Sequence, residues 1–369
     1  MPQVKGRTVA QAWLGSRGLI LVSALLIVLT SDIQFSDAVN NWDAHLYGLI
    51  AKDGYLEHDN ATAFFPGLPM LLRAGLLIGL PVQVTGAVLA MIGSAASAAA
   101  LYRLGGPWVA IAWLFAPTAV FTTVGYTEPL FCAAAFWAWE RGRAGRWPAM
   151  AVLAGVAASL RVSGVFLILA LAVLVITTDI DVDHGRPRWR DRLIGLVWLA
   201  LPAGVVGAYL LYLYVLTGDP FAWYTAQSNG WVRGFTWPWQ SAINTWSVAQ
   251  PGGYPDHPWW SEVFRAEIVS MVLGLLTTGW CLGRRRWAEA VWVGIQVVAF
   301  STSYWFFSVN RAVLLWFPLW IMLVDLAQWT PRRPWGRILH RSAVVLSVIA
   351  MVAAMVWWCW LFFTGHWAS

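Results

Sequence analysis

The sequence predicts an all-α integral membrane protein, and three observations carry that prediction. Hydrophobic residues make up 59% of the 369 and charged residues only 11%. Mean hydropathy is +0.61, more than a soluble core can absorb. Apolar runs of about 20 residues recur along the chain, the length a helix needs to cross the hydrocarbon of a bilayer. Backbone in lipid must be bonded internally, so only helices or a closed barrel can span, and long runs without polar alternation select helices.

In chain order the runs place spans at roughly 17–31, 82–102, 107–124, 127–140, 148–160, 163–178, 193–215, 264–282, 288–306, 311–327 and 342–363, about eleven in all. The first has a basic flank and a short apolar core, as a secretory signal does. No small-residue cleavage pattern ends it and ten spans follow, so it reads as a retained signal anchor. Two connections are long, residues 32–80 and residues 216–263, the second rich in Trp, Gly and Pro. Loops of that length in a compact chain carry function. No internal repeat is visible, and residues 1–369 read as a single polytopic domain.

The net charge of +6 raises nucleic acid as a partner, and the placement of the charge removes it. With the N-terminus inside, the inner segments hold Lys5, Arg7, Arg17, Arg103, Arg141, Arg143, Arg146, Arg186, Arg188, Arg190, Arg192, Arg284, Arg285, Arg286, Arg332, Arg333, Arg337 and Arg341. Lys52, Arg73, Arg161, Arg233, Arg265 and Arg311 remain outside. That bias is the positive-inside signature of a plasma-membrane protein with a cytoplasmic N-terminus. The 28 Trp exceed ordinary core packing, and many lie near span ends, where amphipathic rings sit at the headgroups. Cys132, Cys281 and Cys359 all fall in apolar runs, which leaves neither a disulfide framework nor a metal cluster.

The first loop concentrates polar and aromatic chemistry. Trp42 to Ile50 reads as a short amphipathic helix at the outer interface, with Asn40 or Asn41 available to cap it. Asp43 and Tyr47, four residues apart, share one face. A carboxylate held there suits acceptance of a proton from an attacking hydroxyl; a helix-start charge beside an aromatic belt explains it equally well. Arg161 lies in a tight turn between two short spans, and Arg311 heads the tenth. A guanidinium at that depth is costly and serves a phosphate, an ion pair with an acid such as Glu128, or simple snorkelling. Glu128 itself can cap the fourth helix, orient an arginine or bond a sugar.

These residues carry a resemblance. Trp42-Asp43 with Tyr47, Ile50-Ala51, Gly54-Tyr55 and Phe64-Phe65-Pro66 is similar to the signature of the GPI mannosyltransferase 2 family, the phosphatidylinositol-glycan class V type, within the GT-C glycosyltransferases. Tyr126-Thr127-Glu128 with Leu130-Phe131 resembles that family's Tyr-Ser/Thr-Glu-x-Leu-Phe, and Arg161 to Gly164 its Arg-x-x-Gly turn. Thr217-Gly218-Asp219-Pro220-Phe221 with Gln227 and Trp231 resembles its Thr-Gly-Asp-Pro loop, and Arg311 with Phe317-Pro318 its Arg-Tyr…Phe-Pro element, although Ala312 stands where the family commonly has Tyr. The motifs run in order from residue 42 to residue 318.

The resemblance implies a GT-C fold with an outward-facing site, a polyprenyl phosphate mannose donor and inversion at the anomeric carbon. It makes Asp43 the catalytic base of the first outer loop. Arg161 and Arg311 become the donor-phosphate contacts, and Trp42, His45, Tyr47, Lys52, Tyr126 and Glu128 the substrate-binding candidates. No cofactor and no metal are expected. High Arg with only two Lys suggests a high-GC, actinobacterial-like source, so the expected acceptor is an inositol-containing or mannosylated envelope glycolipid, or a glycan built on one. The competing class is a lipid-linked sugar flippase, which needs repeats or broken helices with polar groups reachable from both faces. A non-catalytic subunit of a glycosyltransferase complex is the third reading, and it requires Asp43 to be dispensable.

Overall fold

The computed structural model describes residues 6–177 and 189–368; Lys5, Arg186 and Arg188, counted above with the inner charges, lie outside the described residues. The described chain is helical, and each of the apolar runs holds helix. Five helices are long and apolar enough to cross a membrane on their own: Gly6–Thr30, Val82–Gly105, Trp189–Thr217, Pro258–Gly283 and Pro334–Phe363. A sixth crossing is added if the bent pair Val309–Leu315 and Phe317–Gln328 is one span. Shorter apolar helices pack among them, including Trp147–Leu160, Ser163–Thr177 and Trp287–Ser301. The chain is thus a multi-pass membrane protein. An apolar helix at Gly67–Leu77 occupies what the sequence reading left as loop.

Two spans are broken, and the breaks organise everything near the site. The run at 107–124 is helical only over Pro107–Leu114, followed by a short 3₁₀ turn at Ala119–Thr122. Pro117 forbids continuation, because it lacks an N–H and disfavours helix in the residue before it. The tenth run bends by 77° between Val309–Leu315 and Phe317–Gln328, with Pro318 in the first turn of the second piece. Broken backbone at membrane depth requires partners from neighbouring helices.

Those partners are side chains. Arg17, expected at an inner flank, is instead buried within Gly6–Thr30. Its Nη1 donates to the Thr122 carbonyl at 3.0 Å, Thr122 Oγ1 at 2.7 Å and Thr123 Oγ1 at 3.1 Å, and its Nη2 to the Leu114 carbonyl at 3.4 Å. Trp113 and Trp292, both fully buried, donate their indole N–H to the Leu314 and Leu315 carbonyls at 2.9 and 3.0 Å. Thr118 Oγ1 donates to the Asn310 carbonyl at 3.1 Å. A reading that assigns every tryptophan to the interface would miss these; Trp113, Trp139, Trp292, Trp316 and Trp320 form the centre of the core.

Candidate active site

The helix expected in the first long loop runs Asp43–Asp53. No side chain caps it: Asn41 donates instead to the Ala38 and Phe362 carbonyls, at 3.1 and 2.8 Å. Trp42 enters the helix with φ +55, a left-handed conformation that a bulky residue adopts only when its surroundings impose it. Its indole donates to the His366 carbonyl at 3.1 Å. Trp42 therefore anchors the loop on the C-terminal segment and does not line the cleft. Asp43 and Tyr47 share the inward face, as their spacing predicts. His45 and Lys52, seven apart, share the opposite face and are exposed, so the helix turns both of these substrate-binding candidates away from the site.

Inside, charges from four distant segments converge. Arg311 Nη1 lies 2.6 Å from Asp43 Oδ2 and 3.7 Å from Glu128 Oε1. Arg161 Nη1 donates to Glu128 Oε1 at 2.5 Å and to Thr127 Oγ1 at 2.9 Å. Glu128 is fully buried and makes no cap; its role is to hold two arginines. Tyr47 and Thr127 hydroxyls stand 3.5 Å apart. Tyr126 and Phe121 present their ring faces to the Arg311 guanidinium at 5.3 and 5.5 Å, a cation–π arrangement that favours the charge in a dry site. Burial, with Asp43 nearby, raises the Tyr47 and Tyr126 hydroxyl pKa above the ordinary value, so both act as neutral phenols.

The backbone around each charge is set rigidly. Ser308 takes a left-handed turn at φ +65, and buried Glu267 accepts the N–H groups of Ser308, Val309 and Asn310 at 2.9, 2.7 and 3.0 Å. A carboxylate on the free N–H groups of a helix start satisfies donors that have no partner within the helix. Asn310 is tied in turn to Ser270 Oγ at 2.8 Å and to the Val263 carbonyl at 3.3 Å. Arg311 thus projects from a pinned turn. The turn that carries Arg161 depends on Gly164, where an added Cβ would sit 2.4 Å from the Ala158 Cα. Without a side chain there, Ser163–Thr177 packs directly against Trp147–Leu160.

An open cleft lies over this cluster, lined by Asp43, Tyr47, Ala63, Phe64, Phe65, Leu160, Arg161, Val162, Gln227, Trp231, Arg233 and Arg311. Both long loops build it. The Phe64 carbonyl accepts from the Tyr55 and Tyr209 hydroxyls at 2.9 and 2.7 Å, and Gln227 Nε2 donates to the Ala63 carbonyl at 3.2 Å. Trp231 meets the Phe64 ring edge-on at 5.3 Å. Asp219 is spent locally, accepting from the Phe221 N–H at 2.8 Å and Thr225 Oγ1 at 3.2 Å, which starts the helix Ala222–Trp231.

Asp43 Oδ2 is held by Arg311, while Oδ1 has no hydrogen-bond partner among the described residues. Arg311 Nε and Glu128 Oε2 are buried without hydrogen-bond partners among the described residues. Arg233, Glu267 and Arg17 were not singled out by sequence reasoning. For Glu267 and Arg17 the signal was present, since each is an ionisable residue inside an apolar run. Among the described residues no group of three or more His, Cys, Asp or Glu side chains is placed to hold a metal.

No family model matches the chain. A stretch covering 34% of it is 32% identical over 145 aligned residues to GPI alpha-1,6-mannosyltransferase 2 of Mus musculus, and to the same protein of Rattus norvegicus. The Cricetulus griseus protein is 31% identical over the same length. The matched stretch spans 29% of the length of each relative. Among solved structures, the chain is similar to ArnT from Cupriavidus metallidurans, crystallised bound to undecaprenyl phosphate, with a TM-score of 0.48 and 15% identity over 94% of this chain and 75% of that one.

Proposed function

We propose that the protein is a membrane glycosyltransferase of the GT-C kind that moves mannose from polyprenyl phosphate mannose to an envelope glycolipid or glycan. The observation that carries this reading is the cleft itself: a carboxylate with one oxygen unbonded faces the same space as Arg161, Arg233 and Arg311. The sequence match to GPI alpha-1,6-mannosyltransferase 2 supports mannose as the sugar.

In this mechanism the acceptor hydroxyl loses its proton to Asp43 Oδ1 as its oxygen attacks C1 of the mannose. The bond from C1 to the phosphate oxygen breaks on the opposite face, the polyprenyl phosphate departs with the bonding pair, and the anomeric centre inverts. Arg311 orients Asp43 by holding Oδ2. Arg161 and Arg311 place positive charge beside the departing phosphate where water is scarce, so their effect on the transition state is large. Trp231, half-buried in the cleft lining, is the aromatic ring there available to a sugar. With arginine against a monophosphate leaving group, no divalent ion is required.

The positive-inside pattern supports a site on the non-cytoplasmic face. Asp59→Cys should label with an impermeant thiol reagent in intact cells, and Arg188→Cys should not. The direct test of function is incubation of purified protein with polyprenyl phosphate mannose and a panel of envelope lipids, read by mass spectrometry. Addition of one hexose to an acceptor, undiminished by chelator, is expected; strict dependence on a nucleotide sugar or a divalent ion would reject the reading.

A further inference from the structure

Three arginines line the cleft, and two are already held by carboxylates: Arg311 by Asp43 and Arg161 by Glu128. The third, Arg233, has no carboxylate in contact among the described residues. Its Nη2 reaches only the Phe307 carbonyl, at a long 3.5 Å, and its guanidinium lies 5.9 Å from the Phe307 ring centroid. Asp43 and Glu267 are near enough to favour its charge, but Asp43 is bonded to Arg311 and Glu267 to three backbone N–H groups.

The position is costly in two ways. Burial first, then the like charges of Arg311 and Arg161, lower its pKa to about 10, so it keeps its charge at neutral pH against its surroundings. The chain also takes a left-handed turn at Val232, φ +53, to leave the helix Ala222–Trp231 and bring Arg233 to the cleft wall. A β-branched residue adopts that conformation only where the surrounding structure enforces it, and such strain gathers at ligand clamps. An uncompensated cation in a strained turn facing an open cleft calls for an anion from outside.

We infer that Arg233 is the direct contact for the phosphate of a polyprenyl phosphate donor. This rests on the glycosyl-transfer reading above. Arg161 and Arg311 then hold Glu128 and Asp43 in place and contribute field, while Arg233 supplies the bond. The donor phosphate is a diester with one charge; when the bond from C1 to oxygen breaks, the departing monoester gains further negative charge, so the same guanidinium binds the leaving group more tightly than the donor.

The experiment measures binding of polyprenyl phosphate, and of the matching polyprenol, to the full-length protein in detergent by ligand-induced thermal stabilisation, alongside mannose transfer. Wild type should be stabilised by the phosphate and not by the alcohol. Arg233→Gln should bind the phosphate about ten- to a hundredfold more weakly, with Arg233→Lys between, because a charge-assisted bidentate contact is lost or halved. Without ligand both variants should melt no lower than wild type, since no carboxylate is left unpaired. Wild-type phosphate affinity in Arg233→Gln, with transfer by the wild type intact, overturns this assignment alone. Unfolding of both variants assigns Arg233 a structural role and also overturns it. Failure of the wild type to distinguish phosphate from alcohol overturns the underlying reading as well.

Discussion

The helix Glu128–Arg143 carries a glutamate near each end, about 18 Å apart along its axis at about 1.5 Å per residue, and the two meet arginine under different conditions. Glu140 pairs with Arg103 at 2.7 Å and Arg141 at 3.0 Å, and nearby Glu289 with Arg143 at 2.5 Å and Arg286 at 3.6 Å. These arginine side chains are between 23% and 56% exposed. At the other end Arg161 and Arg311 are 18% and 10% exposed around a Glu128 with none. Pair distances hardly differ between the ends. Glu140 and Glu289 are themselves buried, with side chains 11% and 7% exposed, so what differs is water at the arginines: a pair open to solvent on one side breaks more cheaply than one that is dry on both. A chain carries the dry kind where something other than stability requires it, and the two arginines that Glu128 holds line the cleft.

Removing Glu128 should sharpen that contrast most. Glu128→Ala leaves Arg161 and Arg311 short of a buried partner and should lower stability by about 3–5 kcal/mol, read as unfolding in detergent. Next, Arg17→Ala strips hydrogen bonds from the Leu114 and Thr122 carbonyls and should cost about 2–4 kcal/mol by the same measurement; a neutral result would mean that the broken span is closed by other means. The pH profile of phosphate binding follows. Arg233 has a folded pKa below its ordinary one, so its charge is complete at neutral pH and is lost as pH rises through about 10. Affinity for polyprenyl phosphate should stay level to about pH 9 and fall by up to about tenfold per unit above 10, and a fall of the same size in Arg233→Gln would remove Arg233 from the contact. Smallest is the solvated pair Arg284 with Asp325, 58% and 40% exposed, where Asp325→Asn should change stability by less than about 1 kcal/mol. A loss there as large as that of Glu128→Ala would erase the distinction between the two ends.

Much of this was legible in the sequence, and the gaps have physical reasons. Hydropathy found the apolar runs because burial in lipid leaves a compositional trace in every one. The faces of Asp43 and Tyr47 followed from helical spacing, and the same spacing read two residues on would have turned His45 and Lys52 outward. Glu128 was weighed as a cap, an arginine partner and a sugar contact alike, because Arg161 and Arg311 lie 33 and 183 positions away and no local pattern chooses among such contacts. The breaks at Pro117 and Pro318 were signalled by the prolines themselves. What closes them, Arg17 and two buried indoles, depends on which helices pack together. Arg233 was counted only as one of six outer charges, since its isolation from any carboxylate is a fact of three-dimensional neighbourhood.

The claim that the cleft end performs chemistry and the opposite end only topology rests most directly on one paired measurement. Turnover of labelled polyprenyl phosphate mannose by purified Asp43→Asn and Asp325→Asn proteins, each confirmed folded, compares an acid at either end under the same substitution. Asn at position 43 keeps the size and an acceptor for Arg311 while removing the base. The account predicts a loss of about 10²- to 10⁴-fold for Asp43→Asn and wild-type turnover for Asp325→Asn; near-normal transfer by Asp43→Asn, or equal losses in both, would contradict it.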